Sequence, residues 1–165
     1  MTFGDMGVVF SAGAAAIGWL WQRWREQKSI RVAIVAEVIA LRKIAELRGY
    51  LSGLNNAVSM LESLPENERP KLPGGIAVAD HYCRVYVANL SKLGYLSGKD
   101  ALLVVTFYQY IDSVVRDVTD GGILHAGCNN PEAFREAASI LKTALDLAKV
   151  LEQRHQKSDA TFSST

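Results

Sequence analysis

Two stretches carry side chains able to hold a metal or attack an electrophile: "DHYC", with Asp80, His81 and Cys83, and "HAGC", with His125 and Cys128. Two histidines and two cysteines together could bind a tetrahedral zinc ion. The spacing is against it. On a helix, residues two apart point about 200° away from each other, so His81 and Cys83 diverge, and "HAGC" lacks a knuckle signature. His125 near Cys128 has the types of a base and a thiol nucleophile, but no orienting acid or oxyanion donor stands at a recognisable spacing. Tyr86, Asn89 and Tyr108 form a third group, read either as the polar floor of a pocket or as a satisfied polar core that fixes bundle register. A glycine-rich phosphate loop, HExxH, GxSxG and a paired-glutamate metal pattern are all missing from the text. The expectation is therefore a non-enzyme with no cofactor and no metal, and with no catalytic residue to name.

The elements that must position these groups read as helices. From Ser29 to Leu64 the residues Ile30, Ile34, Val38, Leu41, Ile44, Leu47, Leu51, Leu54, Val58 and Leu61 step by three or four, which predicts one long amphipathic helix. Gly49 and Gly53 are its weak points. "PENERPKLPGG" ends it with three prolines and two glycines. A second helix is expected from about Ile76 to Leu93, with Ala79, Tyr82, Tyr86, Asn89 and Leu93 on one face and Gly94 as its C-terminal cap. Ser97 followed by Asp100 predicts a capped helix through Val118, and its narrow polar stripe makes it the expected centre of the bundle. Asn130 and Pro131 open a last helix to about Arg154, and the tail "QKSDATFSST" has too few apolar residues to fold.

"GVVFSAGAAAIGWLW", residues 7–21, carries no charge, and extension back to Phe3 adds only Asp5. A spanning helix needs about 20 apolar residues, so this is a short span. Trp19, Trp21 and Trp24 lie where the apolar run meets Arg23, Arg25, Lys28 and Arg31, as an aromatic belt and basic flank would at a membrane interface. Between Gln22 and Asn55, seven Lys or Arg oppose three Glu, a local excess of +4 in a chain whose formal net charge is +1. Positive charge on that flank predicts an N-terminus outside and a cytoplasmic remainder. Gly7, Ser11 and Ala15, and separately Ala14 and Gly18, stand four apart, the spacing of small residues that lets helices associate. The alternative is a first helix buried in an oligomer. Two cysteines, Cys83 and Cys128, are too few for a disulfide framework.

Residues 85–111, "VYVANLSKLGYLSGKDALLVVTFYQYI", hold a Tyr-x-x-Asn, then Leu-Gly-x-Leu at a turn, then a Val-rich helix ending in Phe-Tyr; Tyr86, Asn89, Leu93, Gly94, Leu96, Phe107 and Tyr108 carry it. The segment resembles one found in small bacterial membrane-anchored helical proteins of uncharacterised function. That resemblance implies a bacterial inner-membrane location and brings no ligand or activity. The sequence thus predicts an all-α chain: a single N-terminal transmembrane helix in residues 1–24, an antiparallel cytosolic bundle of about four helices in 25–155, and a disordered tail in 156–165. The expected role is a membrane-anchored, non-enzymatic interaction or scaffold module with the bilayer and a protein as partners, homo-oligomeric through its small residues. The alternative is a membrane-acting effector whose first helix oligomerises in the bilayer. Nucleic acid is not an expected partner, because the remainder beyond the basic flank is acidic.

Overall fold

The computed structural model describes the backbone of residues 3–163 and the side chains of residues 18–157. Five α-helices follow one another: α1 (Phe3–Leu47), α2 (Tyr50–Glu62), α3 (Arg84–Ala88), α4 (Gly98–Val118) and α5 (Pro131–Ser163), with 3-10 turns at Glu66–Glu68 and Leu90–Tyr95. The long amphipathic pattern breaks at the first of its two glycines. Gly49 adopts φ 64°, a left-handed conformation that a side chain resists, while Gly53 stays inside α2. Ser52 then donates its hydroxyl to the Gly49 carbonyl at 2.8 Å, which secures the corner.

Between α2 and α3 the structure departs from the periodicity reading. The helix expected from Ile76 begins only at Arg84, and residues 70–79 are extended. Their amides are bonded elsewhere. Leu72 and Cys128 exchange backbone hydrogen bonds at 2.9 and 3.0 Å, Gly74 N–H reaches the Leu124 carbonyl at 2.9 Å, and Ile76 N–H reaches that of Val118 at 3.1 Å. Leu72, Gly74, Ile76 and Val78 turn inward while the residues between them are exposed, a period of two rather than 3.6. We call this segment the strap. Gly94 correspondingly lies within a 3-10 turn instead of capping a helix.

The caps of the later helices form as their residue types dictate. Ser97 Oγ accepts from Asp100 N–H at 3.1 Å at the start of α4, and Asn130 Oδ1 accepts from Glu132 N–H at 3.0 Å at the start of α5. Helix α5 continues to Ser163, beyond the expected end at Arg154. It also takes the central place expected of α4, packing against α1, α2 and α4. Its buried face explains this: Ala137, Ala138, Ala144 and Ala148 let neighbouring backbones come close, with Phe134, Leu141, Leu145 and Leu151 filling the spaces between.

The core has two lobes strung along α5. One gathers Leu54 and Leu61 of α2, Val114 and Val118 of α4, Leu124, and the first half of α5. The other gathers Ile30, Ile34 and Val38 of α1, Val104, Phe107 and Tyr108 of α4, Leu96, and Ala144, Ala148 and Leu151. Ile111 packs against both lobes and joins them.

The all-α reading is right, but its membrane part needs correction. Among the described residues no helix is long and apolar enough to cross a membrane, which overturns the expected transmembrane helix and the single-pass inner-membrane location deduced from it. The physical reason lies in α1 itself. Beyond Gln22 it carries Arg23, Arg25, Glu26, Lys28 and Arg31, and its next apolar residues, Ile30, Ile34, Val35 and Val38, are buried against the bundle. Side chains of Gly7, Ser11, Ala14 and Ala15, expected to associate helices, lie outside the described residues.

The loop after α4 generates a stability prediction. Gly122 sits where a Cβ would overlap the carbonyl oxygens of Arg116 and Asp117, so a side chain there displaces backbone. Gly122→Ala should lower unfolding stability by about 2 kcal/mol, the scale of overpacking a tight site. The control Gly98→Ala, where a Cβ meets nothing within 4 Å, should stay within about 0.5 kcal/mol of the parent in the same urea titration.

Candidate functional site

Glu37 is the centre of a polar cluster beneath the strap. It sits on the buried stripe of α1, three residues after Ile34 and four before Leu41. Its carboxylate accepts from the backbone N–H groups of Val85 and Tyr86, each at 2.8 Å, and from the Tyr108 hydroxyl at 2.7 Å. A side chain 48 residues away thus caps α3, whose own N-cap residue, Cys83, makes no capping bond. Tyr86 stacks on Tyr108 with ring centroids 3.9 Å apart and planes 11° apart, and Phe107 meets Tyr108 edge-on at 5.1 Å.

The expected polar group is therefore brought together in part. Tyr86 and Tyr108 are in contact, whereas Asn89 donates to the Val85 carbonyl at 2.8 Å, within its own turn. Sequence reading missed Glu37, although a carboxylate at helical spacing within an apolar stripe was a visible signal. Burial and the adjacent Glu37 carboxylate hold the Tyr108 phenol far above its ordinary range, so this tyrosine stays protonated and donates. Tyr82 is likewise raised by burial and by its hydrogen bond to Asp112.

This environment bears on thiol chemistry. Burial, with the charges of Asp112 and Glu37, pushes the Cys83 thiol up, the opposite of what a reactive thiolate requires. His81 is exposed on the same turn, and Cys128 lies in the backbone bridge to Leu72 with its Sγ 3.4 Å from Asn130 N–H. His125 is exposed beside Asp120, with Nδ1 and Oδ1 3.9 Å apart. Among the described residues no group of three or more His, Cys, Asp or Glu side chains converges to hold a metal ion.

A second ionic group locks the first lap of the fold. Asp100, 2 % exposed, receives Arg154 Nε at 2.8 Å and lies 3.2 Å from Arg31. Burial favours the protonated acid, but the hydrogen bonds from Arg154 and Ser97 and the charge of Arg31 outweigh it and hold the carboxyl below the usual range. Arg31, assigned by sequence to a membrane interface, thus serves an internal pair that ties α1 and α5 to the start of α4.

Beyond that lock, α1 carries a surface unlike the rest. From Gly18 to Ser29 no residue is buried. Trp19, Trp21 and Trp24 are 58 %, 58 % and 51 % exposed, and each lies beneath a cation four residues later: Arg23 5.3 Å from the Trp19 ring centre, Arg25 4.6 Å from Trp21, Lys28 5.7 Å from Trp24. The i, i+4 spacing makes these pairs adjacent on the helix surface. Arg23 also approaches Tyr95 at 6.0 Å, and Glu26 pairs with Lys92 at 2.7 Å, so this flank is fastened to the turn before α4. Trp21, Trp24, Arg25, Lys28 and Val32 border a shallow depression. Of the expected interface residues, Trp21, Trp24, Arg25 and Lys28 thus share one face of α1, whereas Trp19 and Arg23 point to the other side, toward Tyr95, and Arg31 joins the internal pair. Gly18 lies exposed on α1, and a Cβ there meets nothing within 4 Å.

Two predictions follow from the buried carboxylates. Glu37→Ala leaves three donors without their acceptor and should cost about 3 kcal/mol or more, while Tyr108→Phe removes one bond and should cost about 1–2 kcal/mol, both read by chemical denaturation. The Glu37 variant should also speed hydrogen exchange at the Val85 and Tyr86 amides. For Asp100, whose folded pKa is depressed, the stabilising contribution is present above the unfolded value of about 3.9 and is lost as pH falls through the folded pKa. Asp100→Asn should therefore lower stability at pH 7, and the gap to the parent should close on acidification.

Compared with protein-family models, with curated proteins and with solved structures, the chain matches none of them.

Proposed function

We propose that this chain is a non-enzymatic helical interaction module that docks a protein partner through the tryptophan–cation flank of α1. The observation that carries the reading is the exposure of all three tryptophans of the chain on one short stretch of a helix. Trp21 and Trp24 border one depression with Val32, and large exposed apolar groups in a contiguous patch mark interaction surfaces. Tryptophan and arginine are also the side chains that most often dominate binding energy at interfaces. Here the cations stand over the rings, so a partner would meet rings already oriented and charges already in place.

Charge defines the partner. Arg23, Arg25 and Lys28 face outward while Glu26, the acid among them, is engaged by Lys92. A complementary surface offers apolar pockets for the indoles, rimmed by carboxylates. The flank is supported from behind by the Arg31–Asp100–Arg154 group, which fixes the direction in which α1 leaves the bundle. A bilayer-perturbing role is not carried forward, because it needs a spanning helix.

Because every tryptophan lies in the flank, intrinsic emission reports on this surface alone. In dilute full-length protein the emission should be that of water-exposed indole and readily quenched by acrylamide. A photo-crosslinking residue in place of Leu20, itself 58 % exposed, should capture a distinct protein in cells, and the Arg25→Glu, Lys28→Glu double variant, which reverses the charge beside Trp21 and Trp24, should abolish that capture. Shielded emission at high dilution would refute the reading, as would capture that survives the charge reversal. Crosslinks only between copies of the chain would replace the partner with a second copy.

A further inference from the structure

A separate cavity lies on the other side of the molecule, and nothing in it rests on the docking surface. A half-open cavity of about 400 Å³ lies between the α1–α2 corner, the end of the strap and the outer face of α4. Ile44, Leu54, Ile76, Val78, Val114 and Val115 supply apolar walls. Three basic side chains also line it: Arg48 from the corner, and His81 and Arg84 from the turn that enters α3. No aspartate or glutamate does.

The charge arrangement is unusual for a packing gap. Among the described residues neither Arg48 nor Arg84 forms an ion pair; Arg48 reaches only the Tyr50 hydroxyl, at 3.2 Å. Both guanidinium groups are exposed at the rim of one apolar chamber, where a bound anion would pair with them. The strap wall is fixed at its two ends, by Ile76 N–H on the Val118 carbonyl at 3.1 Å and by Tyr82 on Asp112. The chamber is therefore formed without its ligand. Its volume falls in the range of small-molecule sites, roughly 300–1,000 Å³, and is too small for a helix about 10 Å across.

We infer that this cavity binds a single-chain amphiphile with an anionic head, its hydrocarbon tail against Ile44, Leu54, Val78 and Val114 and its head between Arg48 and Arg84. The chemistry that recognises it is the pairing of carboxylate or phosphate oxygens with guanidinium, next to an apolar chamber.

Isothermal titration of the full chain with decanoate, and with decanol as the uncharged counterpart, tests the inference. Decanoate should saturate at one site per chain and bind at least about tenfold more tightly than decanol, the difference coming from the charged head. Arg84 is exposed, so Arg84→Gln should leave the melting temperature unchanged, weaken decanoate about tenfold and leave decanol unaffected. Val115→Trp, filling the chamber from α4, should abolish binding of both. No saturable binding up to millimolar decanoate would overturn the inference. Equal affinity for acid and alcohol, or an unaltered decanoate affinity in Arg84→Gln, would do the same.

Discussion

Three donors converge on the Glu37 carboxylate, and much of the molecule's shape depends on that convergence. A helix five residues long cannot form alone in water, because its nucleation cost exceeds what its few hydrogen bonds return. Helix α3 exists because α1 supplies the acceptor for its first two amides and because Tyr86 then lies flat on Tyr108. The same contact fixes the end of the strap. The strap in turn closes one lobe of the core and forms the wall of the cavity bordered by Arg48 and Arg84. One carboxylate thus couples a cap, an aromatic stack and a cavity wall.

The buried Asp100 performs a parallel task on α1 six residues before Glu37, at Arg31. Desolvating a carboxylate is expensive, and such a group persists only where paired charges and hydrogen bonds compensate. Arg31 and Arg154 approach from different helices, and the serine cap of α4 completes the set. Together Glu37 and Asp100 hold α1 by polar contacts of definite geometry on a face where apolar packing alone would allow it to slide or rotate. That constraint matters for the tryptophan flank, which continues α1 past the lock. Its rings and cations can keep a fixed presentation because the helix carrying them is pinned.

The two candidate surfaces have different chemistry and do not overlap. The flank is exposed, aromatic and cationic, suited to a macromolecular surface. The cavity is concave, aliphatic and edged by guanidinium groups, suited to a small amphiphile. Neither the thiols nor the histidines join them into a reactive centre: Cys83 sits among carboxylates that hold its proton, and His81 and His125 face solvent.

The sequence by itself determined the helical class, the two glycine weak points at Gly49 and Gly53, the caps at Ser97 and Asn130, and the i, i+4 register that sets each cation over its tryptophan. These are local matters, fixed by backbone sterics, by side chains bonding their own neighbours, or by the helical repeat. The apolar start of α1 misled because the charges beyond it were read as a membrane boundary, when one of them, Arg31, belongs to an internal pair with Asp100. Only the tertiary structure decided that residues 70–79 are extended, since the carbonyls that bond their amides belong to Val118, Leu124 and Cys128, more than forty positions away. It alone decided that α5 is the spine, that Glu37 caps α3, and that Arg48 and Arg84 border one cavity. Each of these joins groups far apart in the chain, and a periodicity count has no access to such partners.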